Sequence, residues 1–306
     1  MFTLAIHGGA GTIERSLMTP ELEAAYLKGL SIALKAGRKV LEDGGTSLDA
    51  VVASVVELEN YPMFNAGKGA VYNHVGSHEM DAAVMEGKSL MAGAACGVKG
   101  VKNPVLLAKG IMQQSEHVMM ACEGAEAFAK SIGLEFESPS YFDTEHRYQQ
   151  WLELKDGDQF ALDHSKSEKK MGTVGAVALD KDGNIAAATS TGGMTNKKYG
   201  RIGDSPVIGA GTYANNETCA ISCTGHGELF LRSVVAYDIS CLMAYKGMSL
   251  KEACDLVVMD KLVKIGGEGG LIALDTKGNI ELPFNSSGMY RASVDAQGNE
   301  YFGIYR

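Results

Sequence analysis

The chain has 306 residues, 45% hydrophobic and 21% charged, the make-up of an ordinary globular protein with enough apolar mass for a large core and one or two domains. Its formal net charge of −9 argues against nonspecific nucleic-acid binding, which needs a basic footprint. No apolar run approaches the ~20 residues of a membrane span, and the six cysteines match neither a zinc nor a redox spacing, which reads as buried free thiols in a reducing cytoplasm.

Met1-Phe2-Thr3-Leu4-Ala5-Ile6 lacks the basic start of a signal peptide and reads as a first strand running into His7-Gly8-Gly9. Thr19-Pro20 gives an N-cap followed by proline at the first helical position. Leu27, Leu30, Leu34 and Leu41 keep one face of that helix apolar, and Gly44-Gly45 ends it. Thr46, with Asp49 three residues on, starts a second helix continued by Ala50 to Leu58. From about Glu153 to Met171 the chain differs from its surroundings: Lys155-Asp156-Gly157-Asp158 and Ser165-Lys166-Ser167-Glu168-Lys169-Lys170 are charged and nearly free of apolar residues, the composition of an exposed surface loop open to cutting.

The second half contains three similar segments. Ala178 to Ile185, Ala273 to Ile280 and Ser293 to Glu300 each set a Gly-Asn pair between β-prone runs, which predicts three antiparallel hairpins. Ser249 and Glu252 form a capping box for a helix reaching about Lys261. Helices mixed with antiparallel hairpins predict a layered α+β fold.

The usual hydrolase patterns are missing. There is no G-x-S-x-G elbow, no H-E-x-x-H and no Walker A sequence. His78-Glu79-Met80-Asp81 offers metal-ligating side chains without a matching partner cluster, and reads better as a loop satisfying its own backbone. The 38 glycines cluster in short runs such as Gly8-Gly9, Gly192-Gly193 and Gly266-Gly267, which mark loops around a site.

What stands out is Gly172-Thr173-Val174-Gly175-Ala176-Val177-Ala178, then Thr189-Ser190-Thr191-Gly192-Gly193-Met194-Thr195-Asn196-Lys197, then Gly200-Arg201-Ile202-Gly203-Asp204-Ser205-Pro206. Gly211-Thr212-Tyr213-Ala214-Asn215 and Cys223-Thr224-Gly225-His226-Gly227-Glu228 follow, with His7-Gly8-Gly9-Ala10-Gly11 and Phe64-Asn65-Ala66-Gly67-Lys68-Gly69 upstream. Each string is weak alone. Together, in order and across essentially the whole chain, they resemble the plant-type (type 2) asparaginase and isoaspartyl peptidase family of N-terminal-nucleophile hydrolases.

The chemistry implied suits the residues. A threonine hydroxyl is a poor nucleophile until a base takes its proton. Breaking the Gly172–Thr173 bond turns the nitrogen of Thr173 into an α-amine with a reference pKa near ~7.7–8.0, close to the best range for a general base. One residue then supplies nucleophile and base. Glycine before it permits a strained backbone.

The resemblance assigns the other roles. It implies that Thr191 orients Thr173, that Thr224 and the Gly225 amide form an oxyanion hole, and that Asn65 positions the nucleophile or helps self-cleavage. Arg201 is expected on the substrate α-carboxylate, and Asp204 on its α-ammonium with the Gly227 carbonyl assisting, a zwitterion clamp beside the nucleophile. Gly8 and Gly9 match a glycine loop behind the site. No cofactor for catalysis is implied. A structural sodium ion is, held by backbone carbonyls of Leu58, Glu59, Tyr61, Phe64, Ala66 and Lys68. The implied fold is a four-layer αββα sandwich, one domain over residues 1–306 processed into 1–172 and 173–306. Two such αβ units pair as a dimer in the cytoplasm, acting on small-molecule and short-peptide substrates without nucleic acid or membrane. The implied reactions are hydrolysis of asparagine and removal of β-aspartyl residues from peptides. Two alternatives stand beside them: a glycosylasparaginase-like amidase, whose nucleophile follows His-Asp where this chain has Met171-Gly172, and an unprocessed non-catalytic binder of acidic amino acids.

Overall fold

The computed structural model describes residues 1–155 and 172–306. Strand β1 (Thr3–Gly11) leads into helices α1 (Pro20–Glu42) and α2 (Ser47–Asn60). Strands β2 (Met80–Glu86) and β3 (Ala92–Val98), helix α3 (Pro104–Gln114) and the short strand β4 (Met119–Ala121) come next. Helices α4 (Cys122–Ser131), α5 (Pro139–Phe142) and α6 (Glu145–Lys155) follow. After residue 172 come β5 (Val174–Leu179), β6 (Ile185–Thr191), β7 (Thr212–Ala214) and β8 (Cys219–Gly225). Then helices α7 (Gly227–Ser233), α8 (Val235–Lys246) and α9 (Leu250–Asp255) precede β9 (Gly269–Asp275), β10 (Ile280–Glu281), β11 (Gly288–Val294) and β12 (Glu300–Tyr305).

Helix starts fall where the caps predict. The Thr19 hydroxyl accepts from the Leu22 amide at 3.2 Å, and Thr46 accepts from Asp49 at 3.1 Å. Both halves of the Ser249–Glu252 capping box are formed. The helix it starts does not keep one pitch to Lys261. It passes into a π-helical stretch over Leu256–Lys261 before a last α turn at Leu262–Lys264.

Two sheets form, one of eight strands in the order β12-β11-β1-β5-β6-β2-β3-β4 and one of four in the order β10-β9-β8-β7. All pairs are antiparallel except β3 with β4. The period-2 alternation of β5 divides its side chains between two cores. Val174, Ala176 and Ala178 join Leu30, Val51 and Val55 of α1 and α2, whereas Val177 and Leu179 join Ala220, Ile272 and Leu274 of the second sheet. Strands β1 and β6 repeat the division, with Leu4, Ile6, Ala186 and Ala188 on the helix side and Ala5, Ile185 and Ala187 on the other. Helices α8 and α9 pack on β8 and β9. The architecture is α+β, helices around two facing sheets. Among the described residues no helix is long and apolar enough to cross a membrane.

All three hairpins form, β5–β6, β9–β10 and β11–β12. Their organiser is an aspartate the sequence reading passed over. Asp180 Oδ1 accepts from the amides of Asp182 and Asn184, Asp275 Oδ1 from Lys277 and Asn279, and Asp295 Oδ1 from Gln297 and Asn299, all at 2.9–3.0 Å. The glycine of each tip, Gly183, Gly278 and Gly298, has φ between +83° and +87°, where an L side chain is strained.

Three further differences emerge. His7-Gly8-Gly9 belongs to β1, fully buried, with a bulge between His7 and Gly9, and is not a loop. Glu153 to Lys155 of the charged stretch are helical in α6; the remainder of that predicted loop, residues 156–171, lies outside the described residues. The six cysteines are unpaired, but only four are buried, since Cys122 is exposed and Cys241 half-buried.

Candidate active site

Strand register brings the threonines together. Val174 pairs with Ser190, so Thr173 and Thr191 face each other at the open end of the β5–β6 hairpin. Alternation turns both toward the second sheet, where β8 ends on Thr224 and Gly225. The Thr173 hydroxyl donates to Thr191 Oγ at 3.2 Å and lies 3.5 Å from Ser205 Oγ. Thr191 Oγ accepts from the Gly193 amide at 2.9 Å and donates to the Gly172 carbonyl oxygen at 3.4 Å.

These groups front a narrow cleft whose lining includes Gly172, Thr173, Thr191, Arg201, Asp204, Ser205 and Gly225. Asp204 is buried there, and its Oδ2 has no hydrogen-bond partner among the described residues. Burial pushes its pKa up to about 7, with its own backbone amide and the nearby Arg201 cation pulling the other way. A buried carboxylate without a partner is unfavourable on its own, and a bound cation would relieve it.

Arg201 does not pair with Asp204. Its Nε and Nη2 donate to Glu228 Oε1 and Oε2 at 2.8 and 2.9 Å, a two-point ion pair that fixes the guanidinium plane. Nη1 makes no protein hydrogen bond among the described residues. Gly227 fits between the two charged groups only because it lacks a side chain: a Cβ would stand 2.6 Å from Arg201 Nη2 and 2.9 Å from Asp204 Oδ1.

Thr224 is buried and its Oγ accepts from the Ala10 amide at 3.2 Å, which leaves its hydroxyl hydrogen for another acceptor. Gly225 holds φ +155°, and a Cβ there would meet Glu268 O at 2.5 Å. Asn65 lies behind the cleft. Its Nδ2 donates to Gly193 O at 2.7 Å and its Oδ1 accepts from the Val71 amide at 3.0 Å, so it fixes the turn that holds Thr191. Leu58 and Glu59 end α2, and Tyr61, Phe64, Ala66 and Lys68 lie in and just after the loop beyond it. The side chains of His78 and Asp81 are engaged locally, His78 with Ala70 O and Asp143, Asp81 with the Gly97 amide. Among the described residues no group of three or more His, Cys, Asp and Glu is placed to hold a metal.

Three groups escaped the sequence reading. Glu228 and Ser205 stood inside the motif strings, yet only their distances to Arg201 and Thr173 single them out. The third is Lys197, buried behind Gly193, whose Nζ donates to Glu79 O at 2.8 Å and lies 3.9 Å from Asp81 Oδ2. Burial lowers its pKa while Asp81 opposes the shift. Deeper between the sheets His7 Nε2 meets Ser222 Oγ at 2.9 Å, and Thr189 and Thr212 extend that hydroxyl chain.

The family model Asparaginase_2, described as asparaginase, matches residues 1–304, and the chain belongs to that family. Its relatives include the isoaspartyl peptidase of Salmonella typhimurium (strain LT2), 55% identical over 99% of this chain and 98% of that protein. The isoaspartyl peptidase of Escherichia coli K12 is also 55% identical, over 99% and 96%. The Homo sapiens isoaspartyl peptidase/L-asparaginase is 39% identical over 98% and 95%.

Proposed function

We propose that this chain is a threonine-nucleophile amidohydrolase that cuts its own Gly172–Thr173 bond, hydrolyses L-asparagine to aspartate and ammonia, and removes N-terminal β-aspartyl residues from peptides. The observation that supports it most is one cleft holding a threonine hydroxyl directly after a glycine, a guanidinium and a buried carboxylate with one oxygen unpartnered among the described residues. The names of the relatives, isoaspartyl peptidase and L-asparaginase, agree with it.

In the intact chain Thr173 Oγ attacks the Gly172 carbonyl carbon while Thr191 donates to its oxygen. The acyl group moves from nitrogen to oxygen as the C–N bond breaks and the Oγ proton passes to that nitrogen; water then splits the ester, freeing the Gly172 carboxylate and the Thr173 α-amine and restoring its hydroxyl. In each later turnover that amine takes the Oγ proton as Oγ bonds to the substrate's side-chain carbonyl carbon. The Thr224 hydroxyl and Gly225 amide receive the oxyanion, and losing one such donor costs ~10²–10³ in rate. On collapse the C–N bond breaks and the ammonium of Thr173 gives its proton to the leaving nitrogen. Water adds to the acyl-enzyme, releases aspartate and restores the hydroxyl.

Arg201, through the nitrogen Glu228 leaves open, takes the substrate α-carboxylate. Asp204, with the Gly227 carbonyl, takes its α-ammonium. An ordinary α-peptide has no free α-carboxylate at that residue and is rejected. Asn65 keeps the Thr191 turn in place. The same reading includes a four-layer αββα sandwich as one domain, processed into residues 1–172 and 173–306, two such units forming a dimer in the cytoplasm. Sodium fits the loop after α2, where all donors are oxygens. A Cβ at Gly67 or Gly69 would stand 2.5 Å from Glu59 O or 2.0 Å from Phe64 O, so the glycines let the loop backbone lie against those carbonyls. The ion would brace the loop and take no part in bond breaking.

Freshly purified protein should run as two pieces on a denaturing gel, with masses matching cleavage before Thr173, and should turn over asparagine and β-aspartyl-leucine. Thr173→Ala should give one band and lose at least ~10⁴ of the activity, the scale of removing a nucleophile. Full activity in a polypeptide that mass spectrometry finds uncut would refute the mechanism.

A further inference from the structure

Gly172 lines two cavities, the cleft described above and a second, narrow chamber. That second chamber is walled by the rings of Tyr26 and Tyr290, stacked 4.1 Å apart, with Ile13 and Met63, and the Arg147 side chain closes it. Its polar groups are incompletely satisfied. Arg147 is 4% exposed, and its guanidinium donates to three neutral acceptors: Gly69 O at 2.9 Å, Gln150 Oε1 at 2.9 Å and Met63 O at 3.4 Å. No carboxylate pairs with it among the described residues, and the buried Tyr290 hydroxyl has only that of Tyr26 beside it, without a well-formed hydrogen bond. A buried cation without a counter-ion and a buried hydroxyl without a well-formed hydrogen bond both favour an anion that reaches them.

Chemistry places the leaving group next to this chamber. The nitrogen that departs takes its proton from the Thr173 amine, so it must come within hydrogen-bond reach of that amine. Before self-cleavage the Gly172 carbonyl carbon is bonded to that same atom, ~1.33 Å away. The portion of a β-aspartyl peptide beyond its scissile nitrogen therefore extends into the volume that Gly172 fronts. We infer that the chamber is the leaving-group subsite, receiving the amino acid released from a β-aspartyl dipeptide with its α-carboxylate on Arg147 and Tyr290 and its side chain against the tyrosine rings. This rests on the function proposed above. A second source of the same carboxylate exists, the C-terminus of Gly172 freed by self-cleavage.

The test compares three amides on the mature enzyme: asparagine, β-aspartyl-leucine and β-aspartyl-leucinamide, whose terminal carboxylate is a neutral amide. Capping should lower kcat/KM about tenfold or more relative to the acid, the usual scale of a hydrogen-bonded charge. The ratio of acid to amide, read within each variant, should fall toward one in Arg147→Gln. Should that variant not fold or not cut itself, Tyr290→Phe removes the hydroxyl alone and should lower the same ratio severalfold. Asparagine hydrolysis with equal kcat/KM for acid and amide overturns this inference alone and leaves the chamber to the Gly172 carboxylate. Failure on all three amides overturns the proposed function and the subsite with it.

Discussion

Two sets of aspartates in this chain live under opposite conditions. At the hairpin tips Asp180, Asp275 and Asp295 each accept two backbone amides from within four residues, and Asp180 also accepts from Ser47 N at the start of α2. At the seam between the sheets, Asp204 and Asp81 each keep a buried oxygen with no hydrogen bond. A carboxylate satisfied by its own turn serves the fold. One left unsatisfied costs stability, and its use has to be looked for in what it binds or holds.

Replacing members of the two sets should separate these uses. Asp204→Asn should have the largest effect, lowering kcat/KM for asparagine by about 10²–10³-fold by removing a buried charge partner. The same change should raise Tm. The Asp204 carboxyl titrates near 7 in the fold against 3.8 ordinarily, so between those values the folded chain holds a proton the unfolded chain has lost. Stability therefore falls as pH rises through that window, and the neutral amide escapes the loss. A drop in Tm at pH 8 would contradict the account. The next effect is on binding: affinity for aspartate, measured by calorimetry, should weaken toward tenfold per unit as pH falls below about 7, because a protonated Asp204 cannot pair with an ammonium.

The tips should respond in the reverse sense. Asp180→Ala should destabilise by about 1–3 kcal/mol, since it strands the buried Ser47 amide of α2 and the part-buried amides of the turn, while kcat/KM stays within about twofold. Asp295→Ala, in an exposed turn, should cost under about 1 kcal/mol. A change in asparagine turnover from Asp295→Ala beyond the loss of folded protein would blur the distinction between the two sets.

The same contrast explains what was legible in the sequence. Caps at Thr19, Thr46 and Ser249 and the three hairpins act over two to five residues, so their letters stand side by side. The threonines, Arg201 and Asp204 were singled out through motif strings read as a set, not through any local rule. Sheet order was hidden, because β1 pairs with β5 and β11 across most of the chain. His7-Gly8-Gly9 looked like a loop since glycine has poor strand propensity, yet close packing in a buried strand requires it there: a Cβ at Gly8 would meet the Phe64 ring at 2.3 Å. The Arg147 chamber draws on residues 8 to 290 and leaves no pattern along the chain.

The grip of Glu228 on Arg201 has a kinetic meaning. A long cation that had to be stilled by each arriving substrate would charge that loss of freedom to every encounter. Here the restraint is built in before anything arrives, and the Glu228 carboxylate already answers the positive charge. On the function proposed above, Arg201 meets the substrate carboxylate with its guanidinium plane already fixed.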